Sequence, residues 1–214
     1  MAKKPAAGRG LSEYRRKRDF ARTPEPVPRP ARSATRRSFV VQKHRATALH
    51  YDFRLEIGDA MPSWAVPKGP SLDPSQKRLA MQVEDHPLEY AGFEGVIPEG
   101  EYGGGTVMIW DAGTYEMLDD ADPAVALKKG ELRLMLDGHK LKGRWTLVRT
   151  GPRRWLLIKG RDTYARTTDI TLTRPRSVRT KRLLAEIARV EGGNVEKAAT
   201  GDPAPRRVAA SAKP

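Results

Sequence analysis

His50, Asp52 and Arg54 alternate along the run Ala48-Leu49-His50-Tyr51-Asp52-Phe53-Arg54-Leu55-Glu56-Ile57. Aliphatic and aromatic residues hold the odd positions and polar residues the even ones. That period of two predicts a β-strand with one packed face and one chemical face. Residues i, i+2 and i+4 of a strand point the same way, so the three polar side chains share a face. An imidazole and a carboxylate are metal ligands, and a guanidinium takes phosphate through a planar fork. A second imidazole, His44, ends another strand-like run, Ser38-Phe39-Val40-Val41-Gln42-Lys43-His44, six residues before His50. Together these residues suggest a divalent metal beside an anion-binding arginine. Plainer alternatives stand next to that reading: a structural Arg54–Asp52 ion pair, and histidines satisfied by backbone.

Leu79 to Tyr90 reads as another strand that ends in polar residues. Pro87 biases the preceding His86 towards an extended backbone near the strand end, where barrel sites sit. Lys68, in Trp64-Ala65-Val66-Pro67-Lys68-Gly69-Pro70, and Arg78 supply further positive charge. Gly100-Glu101-Tyr102-Gly103-Gly104-Gly105 permits close backbone approach, or is only a turn. It is not a phosphate-binding P-loop, because no Gly-Lys-Ser/Thr follows. His139, in Asp137-Gly138-His139-Lys140, reads as an ordinary turn residue.

The elements that must position these groups are mostly strands. Candidates are 38–44, 48–57, 79–85, 105–110, 113–118, 131–136, 143–149 and 154–159, with turn signals at 57–59, 98–100, 111–113, 137–138 and 150–152. Helical patterns are confined to a short basic stretch at 11–20 and to 122–129 and 179–190. The expectation is a mainly β fold: a compact closed barrel of about eight strands, one or two short helices and basic flexible tails. Residues 1–38 form a basic arm in which 11–30 packs on the barrel. Residues 39–175 form the barrel, and 176–214 a basic helix and tail, with 192–214 reading as tail.

The chain has 214 residues and no cysteine, which excludes disulfides, thiolate nucleophiles and cysteine-based zinc sites. Histidine, carboxylate and backbone oxygen suit manganese, zinc, iron or nickel better than copper(I). No apolar run is long enough for a transmembrane helix, and no apolar signal region opens the chain. The net charge of +14 is uneven: +9 over residues 1–38, −1 over 39–173 and +6 over 174–214. Basic flanks around a neutral centre point to nucleic acid, with solubilising tails as the alternative.

The motifs are similar to those of a known family. Leu11 to Phe20 with Thr23-Pro24-Glu25-Pro26, Phe39 to His44, Leu49 to Glu56, Ser63 to Gly69, Glu84-Asp85-His86-Pro87-Leu88-Glu89-Tyr90, Phe93 to Gly105 and the Trp110–Gly113–Tyr115 region are the matching text. Over about residues 11–175 the chain resembles the 3′-phosphoesterase module of bacterial DNA ligase D and its free-standing relatives. The resemblance implies an eight-stranded barrel with the active site in its mouth and a manganese-dependent enzyme, with Co2+ or Zn2+ as alternative metals. It implies removal of a 3′-terminal ribonucleoside from a primer strand by a phosphodiesterase step that needs the adjacent 2′-OH. A phosphomonoesterase step then removes the 3′-phosphate to leave a ligatable 3′-OH.

Carried over by position, His44, His50 and Asp52 are the metal ligands. Arg54 and His86 bind phosphate and complete the catalytic set, with Arg18, Lys68 and Arg78 in support. Asp19, Glu25, Gln42, Ser63 and Tyr90 are supporting or substrate-contacting positions. A nucleotidyltransferase needs Lys two residues before Asp-Gly, and Met135 stands there before Asp137-Gly138, so no ligation is expected. The implied partners are primer–template 3′ ends, a separate DNA ligase and end-binding repair proteins, in the cytoplasm or nucleoid of a bacterium and without a membrane. The competing class is a non-catalytic module that binds DNA ends or docks a repair partner. Residues 174–214 are either a linker or a DNA-binding arm.

Overall fold

β1 (Arg37–Arg45) and β2 (Leu49–Leu55) form a tight antiparallel hairpin whose register sets Gln42 against Asp52 and His44 against His50. The computed structural model describes residues 11–28, 37–119 and 121–204. Further strands are β3 (Ala60–Met61), β4 (Ser63–Val66), β5 (Arg78–Gln82), β6 (His86–Pro87), β7 (Gly95–Ile97), β8 (Gly105–Met117), β9 (Glu131–Gly138), β10 (Lys142–Arg149) and β11 (Arg154–Lys159). Their order is β1-β2-β4-β5-β11-β10-β9-β8, and β8 pairs back onto β1. The result is a closed eight-stranded antiparallel barrel, as expected. β7 adds to β8 outside the ring, and β3–β6 form a separate two-stranded ribbon.

Strand parity decides which face is which. Phe39 and Val41 of β1, Tyr51, Phe53 and Leu55 of β2, Trp64 of β4, Ala80 of β5, Leu134 of β9, Trp145 of β10 and Trp155 of β11 belong to one buried apolar cluster. These residues fill the barrel. Gln42, His44, His50, Asp52 and Arg54 have the opposite parity, so they stand on the outer wall. The implied position in the barrel mouth is therefore corrected: the interior is packed solid with aromatic side chains, and the polar cluster lies under an external cover.

That cover comes from two segments. Residues 11–28 carry α1 (Ser12–Arg16), whose buried Tyr14 joins Tyr90, Phe93, Ile97 and Val107 in a small apolar cluster. The 3-10 turn Leu88–Gly92 and the chain on to β7 complete it. Gln42 clamps this segment, donating through Nε2 to the carbonyls of Tyr90 and Phe93 at 3.0 and 2.8 Å.

The strand pattern departs from expectation at several places, the two-residue β3 and β6 among them. β4 and β7 lack a sequence signal because they are four and three residues long. β8 runs straight through Asp111-Ala112-Gly113, which reads as a turn. The buried Asp111 carboxylate instead accepts the N–H groups of Lys140 and Leu141 at 2.9 and 2.8 Å, tying the β9–β10 connection to β8. Gly113 is required there, because a Cβ would lie 2.2 Å from the Asp137 carbonyl oxygen.

Helices are also more numerous than one or two. α2 (Pro123–Lys129), α3 (Ile170–Thr173), α4 (Leu184–Val190) and α5 (Val195–Ala199) follow α1. α4 takes only the second half of the helix expected at 179–190. The expectation of a flexible tail from residue 192 fails through residue 204. Leu184, Ile187, Ala188 and Ala198 belong to the main core. Asp202 accepts the N–H groups of Leu184 and Ala185 at 3.0 and 2.9 Å and lies 3.9 Å from the buried Lys43 ammonium. Residues 205–214, and residues 1–10 and 29–36 of the arm expected at 1–38, lie outside the described residues. Among the described residues no helix is long and apolar enough to cross a membrane.

Leu184 is fully buried and Val190, on the same helix, is 59% exposed. Leu184→Ala is expected to cost about 2–5 kcal/mol of unfolding free energy. Val190→Ala should change it by no more than about 0.5 kcal/mol. Denaturant titration of the two variants checks that α4 is part of the barrel core.

Candidate metal centre and phosphate pocket

Residues directly opposite on antiparallel strands share a face, and here that rule assembles the site. His44 faces His50, with ring centroids 4.8 Å apart. Asp52 lies beside them, its oxygens 3.8 Å from His44 Nδ1 and 3.6 Å from His50 Nε2. One ligand atom from each of the three residues falls within 4.8 Å of the others.

The remaining ring nitrogens fix the tautomers. His44 Nε2 donates to the Gly103 carbonyl at 2.8 Å, and His50 Nδ1 donates to the Ala48 carbonyl at 3.1 Å. Each bond leaves the other nitrogen's lone pair turned towards Asp52, as in metal-binding histidines whose far ring nitrogen is held by a carbonyl. Gly103 reaches His44 because its backbone is left-handed, at φ 80°. Two imidazoles and a carboxylate fit a divalent ion with coordination positions to spare.

Arg54 stands one strand step beyond. Its Nε donates to Gln42 Oε1 at 2.7 Å, Nη1 to Ser63 Oγ and His86 Nδ1 at 2.8 Å each, and Nη2 to Asp52 Oδ2 at 2.9 Å. A guanidinium has five N–H groups, so one Nη2 hydrogen remains for a ligand. Tyr90 packs its ring under the cation, 4.9 Å from the guanidinium carbon. Burial alone would raise the Asp52 pKa, but Arg54 and the two imidazoles outweigh it and hold the carboxylate well below its usual range. His50 is also shifted: burial disfavours its charge, yet the Asp52 carboxylate and the Ala48 carbonyl raise its pKa overall.

His86 sits between two cations. Burial first, then Arg54 and Arg18, hold its pKa well below normal, so the ring is neutral. Arg54 and the Glu84 carbonyl, at 2.8 and 2.9 Å, compete for Nδ1. The charge-assisted bond from Arg54 assigns Nδ1 as acceptor and leaves the proton on Nε2. That atom lies 3.4 Å from Arg18 Nη2.

Arg18 reaches this face from the segment after α1. It is held by Glu25 at 2.8 Å and Glu84 at 3.5 Å, both buried, and lies 3.9 Å over the Tyr14 ring. A cavity of 260 Å³ opens where these groups converge, lined by Arg18, His44, His50, Asp52, Arg54 and His86 among others.

The family model described as the DNA ligase D 3′-phosphoesterase domain matches residues 42–149. The chain belongs to that family. It is 54% identical over 183 residues to the multifunctional non-homologous end joining protein LigD of Pseudomonas aeruginosa, covering 81% of this chain and 22% of that protein. It is 50% identical over 156 residues to the LigD of Mycobacterium tuberculosis, named as a multifunctional non-homologous end joining DNA repair protein, covering 71% of this chain and 20% of that one. A third relative, LigD of Mycolicibacterium smegmatis, is 42% identical over 161 residues, or 71% of this chain and 21% of its own. The chain spans about a fifth of the length of these relatives.

For this ligase D phosphoesterase-family chain, the resemblance-derived residues separate into two groups. Arg18, Glu25, Gln42, His44, His50, Asp52, Arg54, Ser63, His86 and Tyr90 are joined in the network described above. Lys68 and Arg78 are not part of it. They line a separate cavity with Pro67, Gln76, Lys77 and Leu79, and Arg78 Nε is buried there without a hydrogen-bond partner among the described residues. Asp19 caps its own turn through the Ala21 N–H at 3.0 Å and is absent from the cavity lining. Tyr14, Glu84, Tyr102 and Gly103 are in the site and have no periodic signal. Glu84 stands two residues before His86, which was its one local clue.

Asp85 follows Glu84 of the pocket lining in the chain. Burial, then Glu84, Asp59 and Glu13, raise the pKa of Asp85 to about 6. The folded state therefore holds a proton that the unfolded chain, near pKa 3.9, releases. Asp85 costs stability as pH rises from about 4 through 6. Asp85→Asn should melt like the parent at pH 4 and above it at pH 8; thermal melts across that range check the sign.

Proposed function

We propose that this protein is a divalent-metal-dependent phosphoesterase that heals DNA 3′ ends during end-joining repair. It removes a 3′-terminal ribonucleoside and then the resulting 3′-phosphate, leaving a 3′-OH for a ligase that acts with end-binding repair proteins. The observation that carries this reading is a three-ligand cluster one strand step from Arg54, opening with Arg18 and His86 onto one cavity. Membership of the family and the chain's similarity to non-homologous end joining proteins support it.

His44, His50 and Asp52 would hold the ion, with Mn2+ proposed and Co2+ or Zn2+ as alternatives. When bound, it supplies Lewis acidity to a phosphoryl oxygen. The chain's own groups do the rest. The free Nη2 hydrogen of Arg54 and the guanidinium of Arg18 bind phosphate oxygens and stabilise charge that grows on them. His86, neutral before substrate arrives, donates from Nε2 to a phosphate oxygen. Its Nδ1 is taken by the Arg54 bond, so the neutral ring acts as a fixed hydrogen-bond donor that orients the phosphate. Gln42, Ser63 and Tyr90 hold the Arg54 fork, and Glu25 holds Arg18. Lys68 and Arg78, on their separate cavity, are left to contact substrate away from the reacting phosphate.

A primer–template with one 3′-terminal ribonucleotide tests this directly on a sequencing gel. With Mn2+, loss of one nucleoside should proceed through a 3′-phosphate to a 3′-OH. EDTA or His50→Ala should abolish it. Arg54→Lys, which replaces the fork by a point charge, should lower turnover about 10²–10³-fold. Tight binding to the same DNA without any product under every divalent metal would instead support a non-catalytic end-binding module.

A further inference from the structure

The segment Arg174-Pro175-Arg176-Ser177-Val178-Arg179-Thr180-Lys181-Arg182 carries five cations and no carboxylate. It is a built loop. Glu94 anchors it, accepting from Ser177 Oγ at 2.6 Å, Thr180 Oγ1 at 2.5 Å and the Ile109 N–H of β8 at 2.8 Å. Trp110 Nε1 and Lys140 Nζ donate to the carbonyls of Arg174 and Arg176 at 2.9 and 2.7 Å. The Ser177 N–H closes the turn on the Arg182 carbonyl at 2.9 Å, and Lys181 adopts a left-handed backbone at φ 63°.

Internal bonds thus consume the loop's backbone and hydroxyls, while its cations lie at the surface, where Arg174 donates to the His139 carbonyl, Arg176 to the Lys181 carbonyl and Lys181 to the Val178 carbonyl, each at 2.9 Å. Arg174, Arg176, Arg179 and Lys181 are exposed, and Arg182 is half-buried. Among the described residues, Arg176 alone of the five pairs with a carboxylate, Glu186.

Its position gives the charge a direction. Val178 packs against the cluster of Val40, Met61 and Ile109, as do Leu88 and Ala91, and Arg179 donates to the Gly92 carbonyl. Val40 stands on the outer face of β1, two and four residues before Gln42 and His44. The loop therefore shares the wall that carries the metal cluster, about 7–13 Å along the strand at its anchor point. The 88–93 segment that Gln42 clamps lies between them.

We infer that this loop is a second phosphate-contacting surface, which takes the backbone of the duplex behind the 3′ end held in the pocket. The inference rests on the proposed end-healing function. Duplex DNA carries about one charge per 1.7 Å of axis, so a rigid cluster of cations on the site's own face meets several phosphates at once. This replaces the choice between a linker and a free arm: α4 and α5 belong to the core, and the basic loop before them makes the contact.

Arg179→Gln/Lys181→Gln/Arg182→Gln in the full chain is the test. Binding to a primer–template is measured by fluorescence anisotropy across a salt series. The slope of log affinity against log salt should shrink by about 2–3, near 0.9 for each lost phosphate contact. Lys181→Gln/Arg182→Gln, which keeps the Arg179 bond to Gly92, should shrink it by about 2. Arg179→Lys/Arg182→Lys should keep the parent slope. Turnover of a 3′-phosphorylated dinucleotide, too short to reach the loop, should match the parent in every variant. An unchanged slope in folded neutral variants overturns the inference. A parent that binds DNA but never turns over the dinucleotide overturns the end-healing reading instead, and the slopes still decide the loop.

Discussion

A buried guanidinium on the outside of a barrel is the constraint on which the site depends. Arg54 is 2% exposed on a face that an isolated barrel would give to water. Its charge cannot be buried unpaired without a cost of several kcal/mol. Asp52 supplies the counter-charge, Gln42 and Ser63 take two further hydrogens, and Tyr90 offers the face of its ring. Those obligations then spread outward. Gln42 can orient Arg54 because its amide is fixed by two carbonyls of the 88–93 segment. Asp52, held ionised by Arg54, is what gives the two imidazoles an anion to face. A buried pair of this kind is poor evidence for stability; here it is better understood as fixing the geometry of a binding site.

Placing the chemistry on the outer wall separates two tasks. The barrel interior holds all four tryptophans and needs no polar cavity. The polar face is instead enclosed by parts distant in sequence: residues 11–28 with Arg18, the 86–103 stretch with His86 and Gly103, and the basic loop at 174–182. Arg18 illustrates the cost. It sits among Glu25, Glu84 and the ring of Tyr14, so an N-terminal segment with little secondary structure is fastened by charges that also belong to the pocket. Arg18, Arg54 and a neutral His86 line one cavity, which is where the proposed phosphate would lie.

The sequence made the centre of this arrangement legible because it is local. Strict alternation in 49–57, with His44 ending the partner strand, required only one hairpin for His44, His50, Asp52 and Arg54 to meet. β9, whose residues alternate between exposed and buried along its whole length, was equally plain. The misreadings share a long-range cause. Asp111-Ala112-Gly113 has turn composition, but Asp111 is buried to bind a distant connection, and Gly113 is there for close strand approach. Residues 192–204 look polar and small, yet Ala198 fills the core and Asp202 caps α4. Lys68 and Arg78 carry charge at suitable sequence positions, but no pairing signal told which side of the wall they would reach. Parity alone, without the closed ring, also could not say whether the polar face turned inward or outward.

The most direct test of this account is a crystal structure of the protein with Mn2+ and inorganic phosphate, with the ion located by anomalous scattering. The expected result is one ion held by His44 Nδ1, His50 Nε2 and Asp52, with phosphate against Arg54, Arg18 and His86 Nε2. An ion bound elsewhere, or phosphate lodged only beside Lys68 and Arg78, would contradict it.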